Sequence, residues 1–320
     1  MASSSAAPRR RLLVIVNPYA TSVDRKIRDL VLAALASRYA VEVADTNAPG
    51  HASLLAAAAA NEGTDGVATL GGDGTLNEAA AALAGSGIPL YPLPGGSQNV
   101  FAKLLGLPSE IVDSTARLLD LSQLWPLRKV DLGRVNDRVF TFAAGVGLDA
   151  SVVAKVDANP DRKARLKQWS YVQSGITVFL RSYALRKPRI VVEADDQELP
   201  VSTVLVQNGE SFTFAGTRPV TLCGNVELDS GSFSAALVKD GAPLRAGATA
   251  LRIVGATAQT GGQNGTTQLG PLTGLKLRSV DDEPLPLQVD GDFAGRYLSV
   301  TFSIDPGALT VLAPPPTHRA

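Results

Sequence analysis

Gly66-Val67-Ala68-Thr69-Leu70-Gly71-Gly72-Asp73-Gly74-Thr75-Leu76-Asn77-Glu78 is the stretch that decides the fold. A short apolar run typical of a buried strand leads into closely spaced glycines, and a helix-forming segment follows. Such glycines let the backbone approach phosphate groups closely, and N–H groups at the start of a helix favour their negative charge. The alternative is an ordinary strand-to-helix turn in which Thr75 only caps the helix. Taken alone, the stretch leaves both interpretations open.

Strands and helices alternate on both sides of this stretch. Apolar runs predict strands at residues 12–16, 40–44, 66–70 and 88–93, and helical patterns lie at 23–37, 52–60 and after Gly74. Strands separated by helices of this length predict a doubly wound α/β fold, in which a parallel sheet carries helices on both faces. Ligands of such sheets bind at the carboxyl ends of the strands.

The pattern changes after about residue 130. Short strands with few helices between them are predicted at residues 138–143, 189–193, 203–207, 232–238, 276–280 and 297–303. A polar-rich helical stretch at 161–186 is the exception. The sequence therefore predicts a second, mainly β domain after the α/β domain.

Polar turns follow several strands of the predicted sheet. Asn17-Pro18 follows the first strand, Thr46 the second, and a stretch with Gly95, Gly96, Ser97 and Asn99 the strand at 88–93. Each of them could be ordinary turn chemistry, but together on one edge they indicate a nucleotide cradle. Neither a Walker motif nor a dinucleotide-binding glycine motif is present. The candidate binding residues are Asn17, Pro18, Thr46, Gly71, Gly72, Asp73, Gly74, Thr75, Asn77, Glu78, Gly95, Gly96, Ser97 and Asn99, and Asp73 is also a candidate Mg²⁺ ligand.

Composition excludes several classes of function. The chain has 320 residues, and its 30 Lys and Arg balance its 30 Asp and Glu, so no global charge attracts nucleic acid or an anionic membrane. Its single cysteine, Cys223, excludes an internal disulfide and a cysteine-built zinc site, and it suits a reducing compartment. The apolar run at 12–16 is too short for a signal peptide or a membrane span. We expect a cytoplasmic protein whose contact with a membrane is peripheral.

These motifs, taken together, resemble the catalytic domain of the diacylglycerol kinase family, which includes bacterial lipid kinases and the sphingosine and ceramide kinases. The resemblance rests on Asn17-Pro18 and on residues 71–78 and 94–103, and it extends through residues 130–133, 145–150, 228–231 and 289–292. NAD kinases share the glycine core, and part of the phosphofructokinase site is similar to it. However, Asn77-Glu78 and Asn99-x-Phe101-Ala102 are more like lipid kinases.

The resemblance implies an ATP-binding α/β domain at residues 10–130, to which residues 305–314 return. A β-sandwich lipid-substrate domain at 131–304 would follow, with the active site in the cleft between the two. ATP and Mg²⁺ are the implied cofactors. In the family the aspartate of the glycine core, here Asp73, works with Mg²⁺ and phosphate. A C-terminal acidic residue, here Asp292, deprotonates the acceptor hydroxyl, which suits a carboxylate base in phosphoryl transfer.

Three positions depart from the family pattern. Asp292 stands where Glu is usual, and it could instead be only a residue of a Val-Asp-Gly-Asp hairpin turn. Ser230 stands where many bacterial members carry an aspartate that helps to hold a structural metal. Ser97 replaces a threonine and keeps the hydroxyl. Asp131 and Asp149 match family positions near the cleft, but an aspartate after a strand is commonly a turn former.

Two segments could contact lipid. Residues 155–189 combine Lys and Arg with aromatic residues, which suits an interface with anionic headgroups or a helix packed on the sandwich. Residues 211–216 form an apolar loop that could line an acyl pocket or belong to the core. The expected activity is phosphorylation of a lipid hydroxyl, with diacylglycerol as the first acceptor and a sphingoid base or another glycerolipid next. A NAD kinase and a non-catalytic nucleotide-binding regulator are the alternatives. No nucleic acid partner is expected, and a homodimer stays open.

Overall fold

The computed structural model describes residues 9–147, 189–194, 197–224, 226–238 and 266–315. The chain divides into two compact units, the first within Met1–Val130 and Ala308–Ala320 and the second within Asp131–Gly307. The helical stretch expected at 161–186 lies outside the described residues, as does nearly all of the basic aromatic segment at 155–189.

A parallel sheet forms the centre of the first unit. Its strands are β1 (Arg11–Val16), β2 (Ala40–Asp45), β3 (Gly66–Gly71), β4 (Leu90–Pro94) and the end of the last strand, β18 (Ser299–Leu312). Their order is β2-β1-β3-β4-β18, and neighbouring strands run parallel. Strands β3 and β4 are buried along their whole length, as expected for a parallel sheet covered on both faces.

Helices connect these strands. They are α1 (Arg25–Ala36), α2 (His51–Asn61), α3 (Asp73–Leu83), α4 (Val100–Leu104) and α5 (Ile111–Leu124). The side chain of Asp24 caps α1 by accepting a hydrogen bond from the Ile27 N–H at 2.8 Å. The sequence did not predict α5, which buries Leu118 and Leu121. In the described parts of the chain, none of the helices has the length and apolarity to cross a membrane.

The second unit consists of antiparallel strands in two main sheets. One sheet contains β5 (Leu127–Val135), β6 (Arg138–Phe140), β8 (Ile190–Ala194), β9 (Gln197–Val201), β15 (Gly274–Ser279) and the first part of β18. The other has the order β14-β13-β10-β7-β16-β17. Its strands are β7 (Ala143–Val146), β10 (Thr203–Gln207), β13 (Phe233–Val238), β14 (Thr266–Leu272), β16 (Leu285–Val289) and β17 (Asp292–Tyr297).

Both sheets of the second unit contribute to one apolar core. Val204 and Val206 of β10 lie in this core, whereas Leu205 between them packs with Cys223 on the opposite face. This alternation is the period-two pattern of a strand with two different faces. The predicted fold class, a doubly wound α/β domain followed by a β-sandwich, is confirmed.

The expected loop at 211–216 is partly a strand. Residues Thr213–Ala215 form β11, which pairs with β12 (Arg218–Val220). Phe214 is buried there. At least one apolar side chain of this segment, that of Phe214, therefore packs in the interior.

Candidate functional site

The first unit has two glycine turns, the first at residues 71–74 and the second at residues 95–99. They are packed directly against each other. The Gly95 N–H donates to the Gly71 carbonyl oxygen at 2.8 Å. A Cβ atom on Gly96 would lie 2.6 Å from the Gly72 Cα, and one on Gly95 would lie 3.1 Å from the Gly71 nitrogen. Side chains at these positions would force the turns apart. The glycines are thus required for contact between the turns, whether or not a ligand is bound.

Asn17 connects the end of β1 to the first glycine turn. Its N–H donates to the Leu70 carbonyl oxygen at 2.9 Å, and its Nδ2 donates to Thr75 Oγ1 at 3.1 Å. Its Oδ1 accepts from the Tyr19 N–H at 3.0 Å and closes the turn over Pro18. Thr75 is buried in the first turn of α3, so its hydroxyl contributes to this connection. The hydrogen bonds of Asn17 therefore hold the end of β1 against the end of β3 and the start of α3.

Thr46 lies at the same sheet edge, where its N–H extends the pairing of β1 and β2 by donating to the Val16 carbonyl oxygen at 2.8 Å.

Asn99 closes the second turn in a left-handed conformation with φ 49°. Its Oδ1 accepts from the Gly96 N–H at 3.0 Å and its Nδ2 donates to the Gly96 carbonyl oxygen at 2.8 Å. Ser97 is exposed on this turn. Its hydroxyl is therefore accessible to a ligand.

Asp73 is the first residue of α3 and contacts the start of α4. Its carboxylate accepts hydrogen bonds from the Val100 N–H at 3.1 Å and the Phe101 N–H at 3.3 Å. A carboxylate satisfies such N–H groups and is favoured by the helix dipole. Asp73 therefore positions α4.

Lys103, in the last turn of α4, is a cation of this site that the sequence analysis did not single out. Partial burial lowers the pKa of the Lys103 ammonium, and the Asp73 carboxylate opposes that shift. One signal in the sequence could have identified it, because Lys103 is the only Lys or Arg between Arg38 and Arg117. A lysine within the second glycine motif is a natural partner for phosphate.

Glu78 of α3 contacts the start of α2. Its Oε1 accepts from the Gly50 N–H at 2.7 Å and its Oε2 accepts from the Ala52 N–H at 3.1 Å, so the carboxylate caps α2. Its carbonyl oxygen accepts from Ser53 Oγ at 2.8 Å. This packing accounts for a glutamate at position 78 without a ligand. Asn77 and Gly74 are half-buried on α3.

A cavity lies beneath the glycine turns. Its volume of about 10 Å³ corresponds to roughly one water molecule. Its lining is formed by Thr69, Gly71, Gly72, Asp73, Leu76, Pro92, Leu93, Pro94, Asn99 and Ala102. A phosphate group is too large for this cavity.

Asp292 lies in the second unit at the hairpin that joins β16 and β17. It pairs with Val289, and Asp290 and Gly291 between them have φ values of 48° and 90°. This is the two-residue turn that the Asp-Gly sequence favours. Asp292 is exposed. Asp292 therefore lies at the end of the hairpin that the Val-Asp-Gly-Asp sequence predicts.

Asp131 is buried in the second unit. Its carboxylate accepts from the Gly231 N–H at 2.6 Å and from the Gly307 N–H at 2.7 Å. Ser230 Oγ donates to the Glu227 carbonyl oxygen at 2.9 Å. Among the described residues, no group of three or more His, Cys, Asp or Glu could hold a metal ion. Asp149 lies outside the described residues.

Comparisons with known proteins agree on one family. Residues 11–135 match the diacylglycerol kinase catalytic domain. The "Probable lipid kinase YegS-like" protein of Pseudomonas aeruginosa is 33% identical over 257 residues, which is 78% of each chain. The diacylglycerol kinase of Mycobacterium tuberculosis is 28% identical over 285 residues, 86% of this chain and 84% of that protein. An uncharacterized Synechocystis protein is 26% identical over 260 residues, and only 57% of its length is covered.

A solved structure shows the same fold. The crystal structure of a diacylglycerol kinase from Bacillus anthracis has a TM-score of 0.74 and 23% sequence identity. The alignment covers 96% of this chain and 98% of that one.

Proposed function

Because this chain belongs to the lipid kinases with a diacylglycerol kinase catalytic domain, we propose that it transfers the γ-phosphate of ATP to a lipid hydroxyl, with diacylglycerol as the acceptor. The product would be phosphatidic acid. The observation that carries this proposal is the pair of interlocked glycine turns with Asp73 beside them, at the carboxyl edge of the parallel sheet.

The first unit offers three kinds of group to the phosphates of ATP. The first N–H groups of α3 lie at its N-terminal end, where the helix dipole favours anions. Asn99 and Ser97 supply polar groups on the second turn. Lys103 supplies a positive charge next to Asp73. Together they suit a triphosphate lying over the turns.

The residues present fit Mg²⁺ bound as Mg-ATP. Asp73 supplies a carboxylate at the first residue of α3, next to the glycine turns. Mg²⁺ is typically held by one or two carboxylates while phosphates and water complete its coordination. We therefore assign Asp73 as the residue that would hold the ion. When bound, the ion would offset negative charge on the transferring phosphoryl group.

Asp292 is the base in this proposal. It would accept the proton of the lipid hydroxyl as that hydroxyl attacks the γ-phosphate. Its exposure supports this role, and so does its place beside a two-residue turn, since backbone pairing there does not require a carboxylate. The shorter side chain, compared with the glutamate usual in the family, requires a correspondingly closer approach of the substrate.

The decisive experiment measures transfer of labelled γ-phosphate from ATP to mixed micelles of diacylglycerol, of a sphingoid base and of another glycerolipid, with NAD as a soluble acceptor. We expect labelled phosphatidic acid from the wild type, and its formation to be slower by about 100-fold or more, though still measurable, in Asp73→Asn and Asp292→Asn. Asp282→Asn is the matched control for Asp292→Asn, because Asp282 is also an exposed aspartate of the second unit. Labelling of NAD alone, or ATP binding without any labelled lipid, would refute the proposal.

A further inference from the structure

The hairpin that carries Asp292 is held by contacts at its turn. The Asp290 N–H donates to the Ala143 carbonyl oxygen at 2.8 Å. The Gly291 N–H donates to Gln288 Oε1 at 2.8 Å, and Gln288 is itself buried. These contacts leave Asp292, the next residue, at the exposed end of β17.

The Asp290 carboxylate makes the main attachment. Its Oδ2 accepts from the Thr141 N–H at 2.7 Å and from Thr141 Oγ1 at 2.8 Å. Its Oδ1 accepts from the Phe142 N–H and the Ala143 N–H, both at 3.0 Å. Burial raises the pKa of the Asp290 carboxyl, and these donors oppose that shift. Four donors converging on one side chain fix its orientation.

The segment that supplies these donors is itself fixed. Asn208 Nδ2 donates to the Thr141 carbonyl oxygen at 3.0 Å and to the Asp131 carbonyl oxygen at 3.1 Å. The Asn208 N–H donates to the Phe142 carbonyl oxygen at 2.8 Å. Asn208 is completely buried. The Asp290 carboxylate therefore attaches the hairpin to a rigid part of the sandwich.

An ordinary hairpin turn does not need this arrangement. An Asp-Gly turn is favoured by backbone conformation alone, and it tolerates a solvent-exposed aspartate. Asp282 of the same unit also has a positive φ, 57°, and it is exposed. Burying a carboxylate costs free energy that a turn alone would not require. The burial of Asp290 instead serves to fix the position of the hairpin end.

We propose that Asp290 is a positioning residue for phosphoryl transfer, which holds the hairpin so that Asp292 is presented in one fixed place. This inference rests on the proposed function, in which Asp292 is the base. Asp290 does not touch the substrate in this scheme. It acts through Asp292, so its effect requires that Asp292 be present.

The test is a double-mutant cycle on the full-length protein with ATP and diacylglycerol micelles. Asp290→Asn keeps the size and the turn preference of the residue but turns an NH₂ group toward N–H donors. We expect kcat to fall by about tenfold or more while KM for ATP and for diacylglycerol change by less than about twofold. In the Asp292→Asn background, Asp290→Asn should change kcat by less than about twofold. Asp282→Asn is again the control.

Thr141→Val provides a second, milder variant, since it removes only the hydroxyl donor of Asp290. We expect a smaller fall in kcat that also vanishes in the Asp292→Asn background. If Asp290→Asn does not fold, this variant decides the question.

The outcomes separate the two proposals. If Asp292→Asn retains the wild-type kcat, the base assignment fails. If Asp292→Asn lowers kcat by about 100-fold or more but the Asp290 and Thr141 variants retain the wild-type kcat, only the positioning role fails. Equal losses from Asp290→Asn with and without the Asp292 carboxylate would also refute the positioning role, because they would indicate a general structural effect.

Discussion

Replacing Gly96 with alanine would place a Cβ atom 2.6 Å from the Cα atom of Gly72. Contacts of real Cβ atoms are rarely shorter than 3.4 Å, so the two glycine turns would have to separate by about 0.8 Å. The atom that must move belongs to the backbone, and a rotamer change cannot relieve the clash. Overpacking of this kind typically costs about 1–3 kcal/mol. The free energy of unfolding should fall by that amount in Gly96→Ala.

The matched control is Gly72→Ala, which addresses the same contact from the other side. Its Cβ would lie 3.4 Å from the Gly96 Cα, an ordinary contact. Because Gly72 is also the N-cap of α3, we expect a loss of at most about 1 kcal/mol. Urea unfolding followed by circular dichroism measures both losses.

The same separation of the turns should weaken ATP binding, because the groups on the two turns that are proposed to bind phosphate would no longer lie at their native distance from each other. We expect Gly96→Ala to raise the Kd for ATP by about tenfold or more, measured by calorimetry. Equal stability of Gly96→Ala and Gly72→Ala, together with unchanged ATP affinity in both, would show that the turns are not in the contact described.

Three further predictions concern single side chains. Glu78→Gln should lower the free energy of unfolding by about 1–2 kcal/mol through the α2 cap while KM for ATP changes by less than about twofold; a raised KM at unchanged stability would instead indicate direct contact with the nucleotide. Thr75→Val should cost about 1 kcal/mol, because Asn17 Nδ2 loses its acceptor. Asn17→Ala should cost less in the Thr75→Val background than in the wild type, with only the contact to Tyr19 left to lose; fully additive losses would contradict the pairing. Cys223 should react with a thiol reagent at pH 8 only as fast as the protein unfolds, because burial raises its pKa to about 11 and the thiolate is the reactive form; rapid reaction of the folded protein would contradict this.

The central strands could be predicted from the sequence because each is an apolar run bounded by turn residues. The meeting of the polar turns at the carboxyl edge could be predicted from the same pattern, since parallel strands bring their ends to one edge. Helix α5 was missed, and the predicted strand at 138–143 divides into β6 and the start of β7. Strand β18 extends well beyond the predicted 297–303 because it continues through Pro306-Gly307, which read as a break.

The contacts that Asp73 and Glu78 make with the starts of other helices could not be predicted from the sequence. Asp73 caps α4 and Glu78 caps α2, and both contacts depend on how helices pack in three dimensions. The burial of Asp290 is a similar case, since it depends on donors from Thr141, which lies 149 residues away in sequence. Sequence patterns report local conformation well, but a hydrogen bond across the fold leaves no local signal.

The pairing of β18 with β4 determines when the sheet of the first unit can be completed during synthesis. Leu90 of β4 pairs with Val311, 221 residues later in the chain. Until residue 311 has left the ribosome, β4 presents an unpaired strand edge, the kind of surface on which chains associate wrongly. The second unit, Asp131–Gly307, is synthesised while the edge of β4 is still unpaired. We therefore expect the growing chain to depend on chaperones during this interval, and release at residue 305 to leave a first unit prone to aggregation.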